Sequence, residues 1–135
     1  MNLHTNIKLF SETIRAASQH MEIQDVFVEK DYWITLVLCQ FSNSKYSDQM
    51  VFKGGTSLSK GYGLINRFSE DVDIAIIDGQ NKSRNEVKTI IRTVEKEMTA
   101  GLKENKLREF RARVQGFESP YLSMQVLIPE TPRIR

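Results

Sequence analysis

A chain of 135 residues with 40% hydrophobic and 27% charged side chains lies inside the globular range and outside the disordered, collagenous and membrane classes. That length suits one domain with a real hydrophobic core and leaves little room for a second. The formal net charge of only +2 makes no case for the whole chain as a nucleic-acid-binding surface.

Ile7, Phe10, Ile14, Ala17 and Met21 recur at alternating steps of three and four, so the chain opens with an amphipathic helix. Ile34, Val37, Leu38 and Phe41 repeat that spacing after the polar cluster Glu29-Lys30-Asp31, and Ser42-Asn43-Ser44 closes this second helix as a loop. The polar cluster reads as a surface or interdomain salt bridge of small energetic value, with a functional cluster as the alternative. The longest apolar runs, such as Trp33 to Leu38, are too short to span a membrane, and the N-terminus lacks a leader pattern, so a cytoplasmic protein is expected. The single cysteine, Cys39, excludes a disulfide framework, and its place in that run predicts a buried, inert thiol. Neither His4 nor His20 has metal-ligand or base-like neighbours, so structural or solvent roles are expected of both.

Met50-Val51-Phe52 leads into Lys53-Gly54-Gly55 and then Thr56-Ser57-Leu58-Ser59-Lys60, a pattern of strand, glycine turn and short helix that Gly61 and Gly63 end. Asp71-Val72-Asp73-Ile74-Ala75-Ile76-Ile77, bounded by the Asp78-Gly79 turn, is the clearest strand in the chain. Ser83 and Glu86 form a capping-box pattern ahead of the stripe Val87, Ile90, Ile91, Val94 and Met98, predicting a helix from about 84 to 100. From Lys82 to Arg113, ten cations (82, 84, 88, 92, 96, 103, 106, 108, 111, 113) outnumber five glutamates (86, 95, 97, 104, 109), the excess of a solvated helix face. Phe110, Ala112 and Val114, then Leu122, Met124, Val126 and Ile128, alternate with other residues around Gly116 and Pro120, predicting a β-hairpin. The element order gives an α+β (mixed α/β) domain, with helices flanking a mixed sheet of about four strands.

Residues i and i+2 of a strand share a face, so Asp71 and Asp73 project together, opposite Val72, Ile74 and Ile76. Two carboxylates at one end of a half-buried strand repel unless a cation neutralises them. Magnesium suits such a pair, because it takes one or two carboxylates and completes its octahedron with phosphates and water. The bland alternative makes Asp71 a turn residue and Asp73 an exposed strand position. The upstream glycine pair shifts the balance, because it leaves backbone N–H groups uncovered at a helix start, where phosphate is favoured. Thr56 and Ser57 either reach phosphate or act as plain N-caps, and Lys60 and Arg67 are phosphate candidates that otherwise stand exposed.

The run Val51-Phe52-Lys53-Gly54-Gly55-Thr56-Ser57-Leu58-Ser59-Lys60, followed by Ile65-Asn66-Arg67-Phe68-Ser69-Glu70-Asp71-Val72-Asp73, resembles the signature of the AbiEii/AbiGii toxin family, as does Val28-Glu29-Lys30-Asp31-Tyr32. The likeness is firm over roughly residues 25 to 78. It implies a polymerase-β-like nucleotidyltransferase fold, with Gly54, Gly55, Thr56 and Ser57 on the triphosphate and Asp71 and Asp73 on Mg2+ or Mn2+. It also implies a bacterial toxin of a toxin–antitoxin or abortive-infection system, with a nucleoside triphosphate, an RNA acceptor such as tRNA and a cognate antitoxin as partners; a second copy of the chain is a further candidate partner, one that could supply missing elements in trans. The superfamily often places a third acid on a later strand; the strand from Tyr121 to Ile128 has none, and Glu118 and Glu130 lie outside it. The expected organisation is one nucleotidyltransferase-like domain over 1–135 without the family's usual helical second half. The expected activity is metal-dependent nucleotidyl transfer; the alternative is a weakly active or inactive nucleotide- or RNA-binding module acting through a partner.

Overall fold

The computed structural model describes residues 3–64, 71–77, 81–98, 100, 111–115 and 123–127. Helix α1 spans Ile7–Met21 and α2 spans Asp25–Ser42. Strand β1, Met50–Lys53, runs into α3, Gly54–Thr56, which continues as a π-helical segment over Ser57–Gly61. Strand β2, Asp71–Ile76, helix α4, Arg84–Met98, and strands β3, Arg111–Gln115, and β4, Ser123–Leu127, complete the α+β arrangement. The Asp78-Gly79 turn, Arg67 and the cations at 103, 106 and 108 lie outside the described residues.

The four strands form one sheet in the order β1-β2-β4-β3. All three pairings are antiparallel, which corrects the mixed sheet expected from the sequence. The hairpin forms as its alternation predicts, with Arg111 opposite Leu127 and Gln115 opposite Ser123. Its second strand docks on β2, pairing Val72 with Val126 and Asp73 with Gln125.

One face of β2 is the floor of the core. Val72, Ile74 and Ile76 are buried with Met50 of β1, and they join Trp33, Ile34, Val37 and Phe41 of α2 and Val87, Ile90, Ile91, Val94 and Met98 of α4 in a single cluster. Burying side chains of this size contributes about 1.5–3 kcal/mol each before the entropy of ordering them is set against it. The α4 stripe buries the five residues its spacing indicated, and Arg84, Lys88, Arg92 and Lys96 stand exposed outside it. In α1 the buried positions are Phe10, Ile14 and Ser18, while Ile7 and Met21, at the two ends of the expected stripe, are exposed.

Helix α2 extends through the polar cluster rather than starting after it. Glu29 and Lys30 are therefore buried, not on the surface, because they share the inward side of the helix with Trp33, whose Nε1 donates to Glu29 Oε1 at 3.3 Å. The same geometry corrects Cys39, which is exposed: Val37 and Phe41 on either side of it point into the core, so the residue between them points out. His4 is buried and structural, its Nδ1 lying 2.7 Å from the Tyr32 hydroxyl and its ring against Trp33, and burial lowers its pKa. No helix among the described residues is long and apolar enough to cross a membrane.

The capping box at the start of α4 forms in both directions. The Ser83 backbone N–H donates to Glu86 Oε2 at 2.8 Å, and the Glu86 N–H donates to Ser83 Oγ at 3.3 Å. The hydrogen bonds from Ser83 hold the Glu86 carboxyl below its usual pKa. A carboxylate with a depressed folded-state pKa adds stability above its unfolded value that is lost as pH falls through the folded one. Ser83→Ala is expected to cost about 0.5–2 kcal/mol at neutral pH, read by urea unfolding, and to cost less once the medium is acid enough to protonate Glu86.

Candidate functional site

The site is assembled where β1 ends and β2 begins. Antiparallel register sets Lys53, the last residue of β1, opposite Asp73, and cross-strand partners share a face, so Lys53, Asp71 and Asp73 stand together on the side of the sheet away from the core. Asp71 and Asp73 are partly exposed, while Val72 and Ile74, which alternate with them, are fully buried. The expected split of the strand into an acidic and an apolar face is therefore observed.

The glycine turn meets this face directly. Gly54 has φ +80°, a conformation that L side chains adopt at a cost, and a Cβ built on it would lie 2.5 Å from Asp73 Oδ2. Only glycine lets the turn pass this close to the carboxylate. Helix α3 begins at Gly54 itself with Lys53 as its N-cap, and although Thr56 stands at the N-cap of the π-helical segment, neither its side chain nor that of Ser57 caps a helix start. Both are buried. Thr56 Oγ1 donates to the Asp71 carbonyl at 2.7 Å, tying the turn to β2, and Ser57 Oγ donates to the Gly54 carbonyl at 3.1 Å. These hydroxyl protons are spent on the backbone, which leaves the turn's main chain as the surface facing the acidic residues.

Burial, then the neighbouring Asp71 carboxylate, push the Asp73 carboxyl above its usual pKa, and Lys53 opposes them. Such a pair is costly when ionised, and that cost is what a cation bound between two carboxylates relieves. Magnesium or manganese fits the hard-oxygen donors present. Among the described residues no group of three or more His, Cys, Asp or Glu side chains could hold a metal, and Asp71 and Asp73 would supply an ion with two carboxylates, leaving its other positions to phosphate oxygens and water. Lys60 Nζ donates to Asp31 Oδ2 at 2.6 Å and to Thr35 Oγ1 at 3.2 Å, so it rests on α2.

Sequence reasoning missed two participants. Lys53 was visible only as part of the glycine motif, and the β1–β2 register that sets it against Asp73 is what gives it weight. Asp31 was seen in a polar cluster with no sign that its partner lay in the glycine-turn segment.

A family model described as the nucleotidyl transferase AbiEii toxin of type IV toxin–antitoxin systems matches residues 36–135. The chain belongs to that family. The AbiEii match contains the glycine turn, both aspartates and the two C-terminal strands, and it begins within α2, after the Val28–Tyr32 block. Searches of curated proteins and of solved structures returned no match. AbiEii membership implies nucleotidyl transfer and a cognate antitoxin, and specifies neither the nucleotide nor the acceptor.

Proposed function

We propose that this chain is a nucleotidyltransferase of polymerase-β-like architecture that moves a nucleotidyl group from a nucleoside triphosphate to an acceptor hydroxyl, with an RNA end such as that of tRNA as the acceptor class. The observation that carries the reading is the contact between two motifs separate in sequence: Gly54 stands where any side chain would strike the Asp73 carboxylate. Asp71 and Asp73 would hold Mg2+ or Mn2+, and the backbone of Gly54, Gly55, Thr56 and Ser57 would follow the triphosphate, with Arg67 a further phosphate candidate. The bound cation supplies neutralisation of charge on the attacking and leaving oxygens.

In this reaction the acceptor oxygen bonds to the α-phosphorus and gives up its proton to solvent, while the bond from that phosphorus to the bridging oxygen breaks and pyrophosphate leaves. The protein's own work is placement: the Thr56 tie to the Asp71 carbonyl fixes the cradle against β2, and Lys53 offsets carboxylate charge beside it.

One observation favours the second reading, a binding module that retains nucleotide without turnover. The strands β3 and β4 contain no acidic residue, and the register sets Gln125 opposite Asp73. Incubating the chain with each α-labelled nucleoside triphosphate, magnesium and bulk RNA separates the two. Label transferred to RNA is the expected result; nucleotide binding with no transfer would leave the binding module, and no nucleotide binding would sink both.

A further inference from the structure

The helical segment after the glycine turn is short and irregular. Helix α3 has three residues, and the five that follow are wound as a π-helix whose last turn closes through the Tyr62 N–H to the Ser57 carbonyl at 3.2 Å. A wide turn of this kind is less well held by its own hydrogen bonds than an α-helix and recurs at functional sites. Its start is fastened to β2 by Thr56. Its far end is fastened elsewhere: Lys60 reaches α2, where Asp31 Oδ2 and Thr35 Oγ1 receive its ammonium.

Those two acceptors form a prepared seat. Asp31 and Thr35 are one helical turn apart, and the Thr35 hydroxyl donates its proton to the Asp31 carbonyl at 2.8 Å, which leaves its oxygen to accept from Lys60. The side chains of Lys60 and Asp31 are 30% and 37% exposed, and an ion pair that open to solvent contributes little to overall stability. Its effect is geometric. With both ends held, the intervening backbone stays in place beside Asp73, where Gly54 leaves no slack.

We propose that Asp31 and Thr35 are positioning residues for nucleotide binding: through Lys60 they anchor the far end of the glycine-turn segment, and Lys60 serves as their partner rather than as a phosphate ligand. This role rests on the glycine turn being the triphosphate cradle proposed above.

The test has two arms. In the first, amide hydrogen exchange is measured on the nucleotide-free chain for wild type, Asp31→Asn, Thr35→Val and Lys60→Met. Faster exchange confined to residues 54–61 is expected in all three variants, with melting temperatures close to wild type; unchanged exchange there overturns the proposal whatever the chain binds. In the second, Mg2+ and a fluorescent nucleoside triphosphate are titrated against the same set and Asp31→Asn/Lys60→Met. Each single change at Asp31 or Lys60 is expected to weaken binding about fivefold, and the double variant to bind no worse than either, because both remove one contact. Tighter binding by Asp31→Asn would mean that Asp31 withholds Lys60 from phosphate, and weakening by Lys60→Met alone would make Lys60 a ligand. Either overturns the positioning role. Absence of nucleotide binding by wild type would remove the cradle reading, and the exchange arm would still decide whether α2 anchors the segment.

Discussion

Gly54→Ala is expected to abolish nucleotide binding and to lower the melting temperature, although it adds a single methyl group. Two costs coincide at this residue. The left-handed backbone, φ +80°, penalises an alanine by about 1–2 kcal/mol. The new Cβ would also stand 2.5 Å from Asp73 Oδ2, inside any normal contact, so either the turn or the carboxylate must move. A shift of the carboxylate would spoil the proposed metal position, and a shift of the turn would spoil the proposed cradle. Gly61→Ala is the control, because a Cβ there meets nothing within 4 Å. Calorimetric titration of a magnesium–triphosphate complex into both variants, alongside thermal melts, checks the claim. Gly54→Ala with wild-type affinity would show that the turn serves packing only.

Asp73→Asn is expected to reduce label transfer by about a thousandfold, the scale of losing one preorganised electrostatic contact to a reacting phosphate. The same change should make the metal-free protein more stable at neutral pH. The sign follows from the raised pKa of Asp73: a carboxyl whose folded value exceeds its unfolded value contributes stability that is complete below the unfolded pKa and is lost as pH rises through the folded one. When ionised, it stands partly buried beside Asp71 at a net cost, which the asparagine removes. The melting-temperature gap between variant and wild type should therefore narrow as pH is lowered into the carboxylate range. Magnesium with nucleotide should raise the melting temperature of wild type and leave Asp73→Asn unmoved. An equal rise in both would remove Asp73 from the metal site.

Much of this was legible in the sequence because periodicity reports faces. The stripe from Val87 to Met98 and the Asp/Val alternation of β2 are patterns of inside and outside, and both were read correctly. What periodicity does not report is neighbours. Nothing in the run from Met124 to Val126 announces that it lies against β2, so the antiparallel order of the sheet emerged only in three dimensions. Local composition misled in two places for one reason: the mixed character of α2 hides which side is inward. Glu29 and Lys30 lie inward by helical phase despite their charge, while Cys39 lies outward despite its apolar flanks. The glycine motif is legible as a turn, whereas the hydrogen bonds that its hydroxyls donate to the Asp71 and Gly54 carbonyls leave no mark in the local sequence.

The pairing of Lys53 with Asp73 has a consequence for the order of events. With both aspartates ionised, the site carries two negative charges and one positive, and its own ammonium already does part of a counterion's work. A lone divalent ion would thus be offered a diluted attraction and would share the space with a fixed cation. On the proposed reading a triphosphate would reverse this, since its added negative charge would engage the ammonium and leave the carboxylates to the metal. The register of one short edge strand would in this way make the proposed site a coincidence detector: ion and nucleotide would each bind poorly alone, and each would make room for the other.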